Sequence, residues 1–490
     1  MRITESFYEN SSYYAVAKYF LKGINIFLVP IYTNLFSTSD YGVIDWLTAI
    51  ASMLFVVLGL QLDAAVGRYI NEEGELKGKQ KLVSTGWVFV LITGLIPFVI
   101  VCISPGFLAD LIIGRPEEGL MLLIWSFTLF LRSQLKFNTS LLKWLIAPKR
   151  HVLVTFISSL LSVILSIIFV IILDWGLIGV FLGQLFGVLL GVTVSYILVK
   201  QYFKINFEYR IFKKMLNYSW PLVFSALLGF FLAFGDRFVL VQFMSLSEVG
   251  LYGVGFRFSK IVILFFEGVS QALTPLIFKN LESDSIKKEV SEIFSTVLYA
   301  ALTIIIFVSL FSKELLYLFA NENYVPGYIY VPFVCGGQVF ITLRVFAPGF
   351  QIAKKNQLGT YIVFVAGLFN LLVSISLVQV LGPLGVGIGT LASAFLYAIL
   401  WFSYSNKHFK VDYRVGKTII AIVVSFLLIG TKFVFYDYSN YINVIVSLII
   451  ITVWLAFLYF SDREGMQAMK VFFLNRFRSL TSFVKKNKNK

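Results

Sequence analysis

Charged side chains recur inside the most apolar stretches of this chain, and their signs and spacing point to chemistry. Lys18 and Lys22, and again Arg132 and Lys136, stand four residues apart, while Arg257 and Lys260 stand three apart. On a helix each pair shares one face. Arg237 and Arg344 add two further cations, and Asp45, Asp63, Asp236 and Glu267 are the acidic residues among them. A charge near the centre of a bilayer costs about 2.5–3.5 kcal/mol even on the lenient insertion scale, so those that persist face a cavity or a partner. The excess of cations predicts a positively charged lumen that attracts phosphate or carboxylate, the more so beside low-dielectric walls. Arg makes forked contacts with phosphate and Lys supplies a point charge. The plainer alternative is that Lys18 and Lys136 snorkel to the interface and that Glu267 or Asp236 neutralises Arg257 or Lys260. Asp63, Asp236 and Glu267 are also candidates to bind a proton or Na⁺ during a transport cycle, or else they balance the cations around them.

The elements that must position these residues are apolar helices. Of 490 residues, 58% are hydrophobic and only 14% charged, far too few for the surface of a soluble fold. Hydrocarbon about 30 Å thick needs roughly 20 apolar residues per helix. Such segments are expected at 12–35, 43–66, 83–103, 119–141, 152–173, 177–199, 217–242, 250–275, 290–311, 328–350, 358–379, 384–404, 417–436 and 441–460. The fold class is therefore all-α integral membrane, with about fourteen transmembrane helices. The first stretch runs on without a small-residue cleavage site and is expected to stay in the mature protein. Cys102 and Cys335 fall inside predicted spans and read as packing residues rather than a disulfide.

Loops alternate in charge. One set carries Lys77, Lys79, Lys81, Lys143, Lys149 and Arg150, and continues in the same manner to Lys417, whereas the other carries only Arg115, Lys313 and Lys432. By the positive-inside rule the first set is cytoplasmic, and both termini join it. On that topology Lys18, Lys22, Arg132, Lys136 and Arg344 fall in the cytoplasmic half, and Arg257 and Lys260 nearer the middle. The net charge of +15 thus belongs to membrane orientation, and nucleic acid is not an expected partner. The tail 461–490 combines basic residues with Val471, Phe472, Leu474 and Phe477, a pattern that suits either a helix lying on an anionic leaflet or a solvated basic tail.

The chain contains a duplication. Ser37-Thr38-Ser39-Asp40-Tyr41-Gly42 matches Ser245-Leu246-Ser247-Glu248-Val249-Gly250 at an offset of 208, read here as following helices 1 and 7. Ile146-Ala147-Pro148-Lys149 matches Ile352-Ala353-Lys354-Lys355, and Gly176-Leu177-Ile178-Gly179 matches Gly382-Pro383-Leu384-Gly385, both at an offset of 206. The expected organisation is an N-terminal lobe (1–205, helices 1–6), a C-terminal lobe (206–410, helices 7–12), helices 13 and 14 (411–460) and a basic tail (461–490). Repeats with an even number of helices share one orientation and enclose a cavity that can rock open to either side. Gly179, Gly183, Gly187 and Gly191, echoed by Gly385, Gly389 and Ser393, read as close helix packing. Pro30, Pro97, Pro221 and Pro348 are expected to bend their spans. No HExxH, GxxxxGK[ST] or CxxC is present and the loops are short, so no catalytic residue, metal ligand or cofactor is expected.

Leu35-Phe36-Ser37-Thr38-Ser39-Asp40-Tyr41-Gly42, Gly235-Asp236-Arg237-Phe238-Val239-Leu240, Val249-Gly250-Leu251-Tyr252 and Ala272-Leu273-Thr274-Pro275 resemble the Wzx-type polysaccharide flippases of the MATE-like multidrug/oligosaccharidyl-lipid/polysaccharide exporter superfamily. The resemblance covers about the first 400 residues. It implies a two-lobed bundle and translocation of an undecaprenyl-diphosphate-linked oligosaccharide to the outer leaflet for O-antigen or capsule assembly. The diphosphate would sit among the basic residues and the prenyl tail in membrane lipid, with a polysaccharide polymerase and a chain-length regulator as further partners. Tyr13, Tyr14, Trp46, Phe230 and Tyr252 could stack on sugars, although packing is the commoner use of such residues. The alternatives are a flippase for the lipid-linked peptidoglycan precursor and a cation-coupled multidrug antiporter; the antiporter would need an acidic cavity.

Overall fold

The computed structural model describes residues 28–145, 147–281, 283, 285–433, 435 and 440–461. Thirteen helices among them are long and apolar enough to cross a membrane, and the described residues contain no strand. The remaining expected span, 12–35, is described only over 28–35, which are helical and are called α1. Then follow α2 (Thr38–Gly59), α3 (Leu76–Ile103), α4 (Gly119–Trp144), α5 (Pro148–Ile167), α6 (Gly176–Val199), α7 (Tyr209–Phe243) and α8 (Leu246–Lys279). The series continues with α9 (Ile286–Leu310), α10 (Val331–Thr342), α11 (Asn356–Leu381), α12 (Pro383–Ser405), α13 (Val415–Phe433) and α14 (Asn440–Ser461). Lys18, Lys22, Tyr13, Tyr14 and the tail beyond Ser461 lie outside the described residues.

The chain forms two compact units. The first holds the described residues up to Arg237 together with Ser245–Gly250; the second holds Phe238–Met244 and the residues from Leu251 onward. The boundary expected between 205 and 206 lies ahead of α7, and the compact units part within that helix.

Two expected spans are revised. The second does not run to residue 66: α2 ends at Gly59 because Leu60 and Gln61 both adopt left-handed backbone (φ 44° and 52°), a conformation that stops a right-handed helix. Asp63 therefore sits on a separate short helix, Leu62–Tyr69, and not on the same helix as Asp45. The tenth span is not one helix either. Its α-helical part, α10, lies between 3-10 turns at Glu322–Tyr330 and Leu343–Phe346, and a short helix, Gly349–Ile352, follows Pro348. Pro97 and Pro221 sit within helices that continue through them, so of these prolines Pro348 is the one that coincides with a break.

The duplicated motif opens helices rather than closing loops. Ser37 and Asp40 form a capping box at the start of α2, and Ser245 and Glu248 exchange the same pair of hydrogen bonds at the start of α8. The two copies meet each other. Thr38 Oγ1 lies 2.6 Å from Ser247 Oγ, and a Cβ on Gly42 or on Gly250 would come within 1.9 Å of the carbonyl oxygen of Leu246 or of Thr38. Only glycine allows backbones this close.

Small residues also join consecutive helices inside each unit. In the first, Gly183, Gly187 and Gly191 of α6 face Ser166, Ser162 and Ser158 of α5, with Ser158 Oγ donating to Gly187 O at 2.9 Å. In the second, Gly385 and Gly389 of α12 face Leu377 and Ser374 of α11, and Asn370 Nδ2 donates to Ser393 Oγ at 2.9 Å. The glycine string is a packing device. The core of the second unit is α9, against which α10, α13 and α14 bury Cys335, Ile429 and Trp454. Cys102, by contrast, is exposed on α3.

Gly42→Leu would have to displace a backbone carbonyl, and we expect it to cost about 1–3 kcal/mol, read as a lower thermal midpoint in detergent. Gly59→Ala, whose Cβ meets nothing within 4 Å, should leave the midpoint unchanged. Equal midpoints for the two variants would contradict the close approach of the motifs.

Candidate substrate-binding cavities

In the first unit, α4 presents Arg132 and Lys136 on one face. Arg132 is half-buried, and its Nη2 donates to Gln184 Oε1 of α6 at 2.8 Å. Among the described residues no carboxylate lies within 4 Å of Arg132 or Lys136. They border separate pockets beside α2 that share Phe55 and Leu129. The one at Arg132 holds about 70 Å³ beside Thr48, Ser52 and Thr128, whose hydroxyls donate to backbone carbonyls of their own helices. The one at Lys136 holds about 20 Å³ beside Thr93, Ser133 and Asp63. Asp63 reaches this place because the chain turns at Leu60 and Gln61, and it accepts a hydrogen bond from Ser140 Oγ at 2.9 Å.

Arg237 differs from the rest of the predicted lumen set. It is 2% exposed, its Nη1 donates to Asp236 Oδ2 at 2.6 Å and its Nε donates to Asp45 Oδ2 at 3.2 Å. The charge expected to face a substrate is compensated in place, and so is Asp236, expected among the ion-coupling residues. A buried cation held between two carboxylates fixes α7 against α2, and removing one member strands the others.

In the second unit, Arg257 and Lys260 are half-buried on α8 and neither is without a partner. The larger opening lies further along α8. A cavity of about 570 Å³ is lined by Glu267, Ser270 and Thr274 of α8, by Thr342, Arg344 and Gln351 of the broken tenth span, and by Trp401 of α12. Arg344 sits in the 3-10 turn that follows α10, exposed, with Nη1 3.5 Å from Tyr397 Oη and no carboxylate within 4 Å among the described residues.

The break that makes this wall is held open by side chains. Breaking a helix releases backbone groups that hydrocarbon cannot satisfy. Here Tyr413 Oη donates to Phe346 O at 2.9 Å, Trp401 Nε1 donates to Ala347 O at 3.1 Å, and Gly349 N donates to Ser405 Oγ at 2.8 Å. Tyr413 lies in the loop after α12, and burial pushes its phenol up, so the donor stays protonated.

Trp401, Gln184, Gln351 and Tyr413 were not singled out from sequence. Pro348 followed by Gly349 was the available signal, since a break there demands donors from a neighbouring helix end. Trp46, Phe230 and Tyr252 are buried in packing: Trp46 Nε1 donates to Ile112 O at 2.9 Å, and Tyr252 Oη lies 3.3 Å from Thr390 Oγ1. Among the described residues no group of three or more His, Cys, Asp or Glu is placed to hold a metal ion.

Unpaired guanidinium and ammonium groups beside hydroxyl-lined space can hold an anion, and nothing about the arrangement requires that the anion be altered. The family profile described as "polysaccharide biosynthesis protein" matches residues 7–281, more than half of the chain, and a second, MatE, matches 221–376. The chain belongs to the polysaccharide biosynthesis protein family. A protein of Haloferax volcanii described as a probable low-salt glycan biosynthesis flippase is 21% identical over 230 residues, and the match spans about half of each chain, 46% of this one and 48% of that one. The fold is that of the lipid II flippase MurJ in an inward closed conformation, with a TM-score of 0.69, 15% identity, and coverage of 91% of this chain and 98% of that one. An inward-facing multidrug resistance MATE transporter of the MOP superfamily follows at a TM-score of 0.63 and 17% identity, covering 80% of this chain and 97% of that one. The family member described here is thus a multi-pass, MATE-like membrane protein.

Arg237→Met strands two shielded carboxylates and should cost about 3–5 kcal/mol, seen as loss of monodisperse protein in detergent. Combining it with Asp45→Asn and Asp236→Asn should restore folded protein. A well-folded Arg237→Met single variant would contradict the structural role.

Proposed function

We propose that this protein carries an undecaprenyl-diphosphate-linked oligosaccharide from the inner to the outer leaflet of a bacterial cytoplasmic membrane, supplying O-antigen or capsular polysaccharide assembly. The observation that carries the reading is the pair Arg132 and Lys136, cations on one helix face beside polar space, with no carboxylate in contact among the described residues. An anion entering that space replaces solvent around charges that the fold leaves uncompensated. The family and the likeness to flippases support the reading. Both termini and the lysine-rich loops are taken as cytoplasmic, so that substrate loads from the side where it is made. A polysaccharide polymerase and a chain-length regulator would receive the product. No cofactor enters; coupling to a proton or Na⁺ is assigned to Asp63 and Glu267, the carboxylates that line the cavities of the two units.

A second reading is the lipid-linked peptidoglycan precursor, which carries the same diphosphate; the fold likeness to the lipid II flippase favours it. Loss of that activity would stop growth in all media, whereas loss of O-antigen or capsule export would not. A multidrug antiporter for cationic drugs is disfavoured by uncompensated arginine and lysine beside the two pockets.

Depletion of the protein should make undecaprenyl-diphosphate-linked repeat units accumulate at the cytoplasmic face. Arg132→Gln with Lys136→Gln should reduce export at least about tenfold, equivalent to about 1.4 kcal/mol, at unchanged protein level. Normal export in depleted cells would refute the proposal.

A further inference from the structure

We propose that the cavity of the second unit is a saccharide subsite, in which Trp401 is the platform for a sugar ring and Gln351 and Glu267 read its hydroxyls; this rests on the flippase reading above. The cavity's charge speaks against its being the diphosphate site. Its lining carries one cation, Arg344, and one anion, Glu267, so it has little net attraction for a group bearing two or more negative charges. It is poorly suited to a prenyl chain, because Arg344, Glu267 and the Gln351 amide would be desolvated against it without replacement partners. A neutral glycan suits it. Sugar rings have an apolar C–H face bordered by hydroxyls that both donate and accept. Their binding calls for a flat apolar surface next to mixed donors and acceptors, which an indole, an amide and a carboxylate together provide. The volume, about 570 Å³, lies within the usual range of about 300–1,000 Å³ for small-molecule sites.

Trp401 is held in position before any ligand arrives. Its Nε1 is bonded to Ala347 O, Phe350 stands edge-on at 5.0 Å and Tyr397 lies at 5.3 Å. Its far edge rests where Gly359 has no side chain, since a Cβ there would come within 3.0 Å of Cη2. A ring fixed by its neighbours loses little rotamer freedom on binding, which is how rigid aromatic anchors gain affinity. The hydrogen bond that fixes it ends on the carbonyl freed by the helix break, so the break and the platform are one construction. Arg344, on the turn just before that carbonyl, reaches Tyr397 Oη of the same aromatic group and gives the subsite a donor for sugar hydroxyls.

The test measures the affinity of the full chain in detergent for two probes: undecaprenyl diphosphate, and the same lipid bearing the repeat unit extracted from the source cell. The glycan-bearing lipid should bind at least about tenfold more tightly. Trp401→Ala and Gln351→Ala should each bring that ratio close to one, whereas Trp401→Phe, which keeps a ring but loses the hydrogen bond to Ala347 O, should retain more of it than Trp401→Ala. Arg132→Gln with Lys136→Gln should weaken both lipids and leave the ratio intact. A wild-type ratio near one, or a ratio untouched by both alanine variants, overturns the subsite while the flippase reading stands. Failure of undecaprenyl diphosphate itself to bind overturns both.

Discussion

A charge carried into hydrocarbon must meet an opposite charge, a set of hydrogen-bonding groups or water, and that requirement governs the buried cations among the described residues. It sorts the cations into two kinds. Arg237 lies between Asp45 and Asp236, Arg115 pairs with Asp40, and Lys432 donates to Asn443 O and Ser447 Oγ. These are closed arrangements whose work is to fix one helix against another. Among the described residues Arg132 and Arg344 have neutral partners, Gln184 and Tyr397, and open onto space. A neutral partner orients a guanidinium without cancelling it, so the charge stays available to a ligand.

The same requirement applied to the backbone explains the second unit. A continuous tenth helix would satisfy its own amides and leave a smooth wall. The break at Ala347 and Pro348 releases polar groups, and Tyr413, Trp401 and Ser405 satisfy them. That exchange turns a helix end into a polar cavity wall. Small residues have the complementary task. Gly42 and Gly250, and the glycines of α6 and α12, bring backbones together where no side chain is wanted, which leaves the larger residues to shape the open space.

The spans, the duplication and the paired cations of α4 were legible in the sequence because each is a periodic signal. Hydropathy repeats over a membrane thickness, the motifs repeat at one offset, and Arg132 and Lys136 repeat at one helical turn. Departures from periodicity were not legible. Leu60 and Gln61 carry no glycine or proline to announce left-handed backbone, so Asp63 was placed on the wrong helix. The S-x-S-[DE]-x-G motif reads from sequence only as following helices 1 and 7, because serines and acidic residues are as common in turns as at helix starts. Sequence puts Arg237 among the lumen cations because one of its two carboxylate partners, Asp45, lies 192 positions away, a distance at which sequence says nothing about contact. Trp401, one tryptophan among eight, could be known as a cavity residue only once the break opposite it was seen.

The central claim is that uncompensated cations recognise the diphosphate of the substrate. Its most direct test is transport by protein reconstituted in lipid vesicles, comparing an undecaprenyl-diphosphate-linked glycan with a compound joining the same glycan to the same prenyl chain through an uncharged ether. The account predicts that the ether compound crosses at least about tenfold more slowly, equivalent to about 1.4 kcal/mol. Equal rates for the two would contradict it.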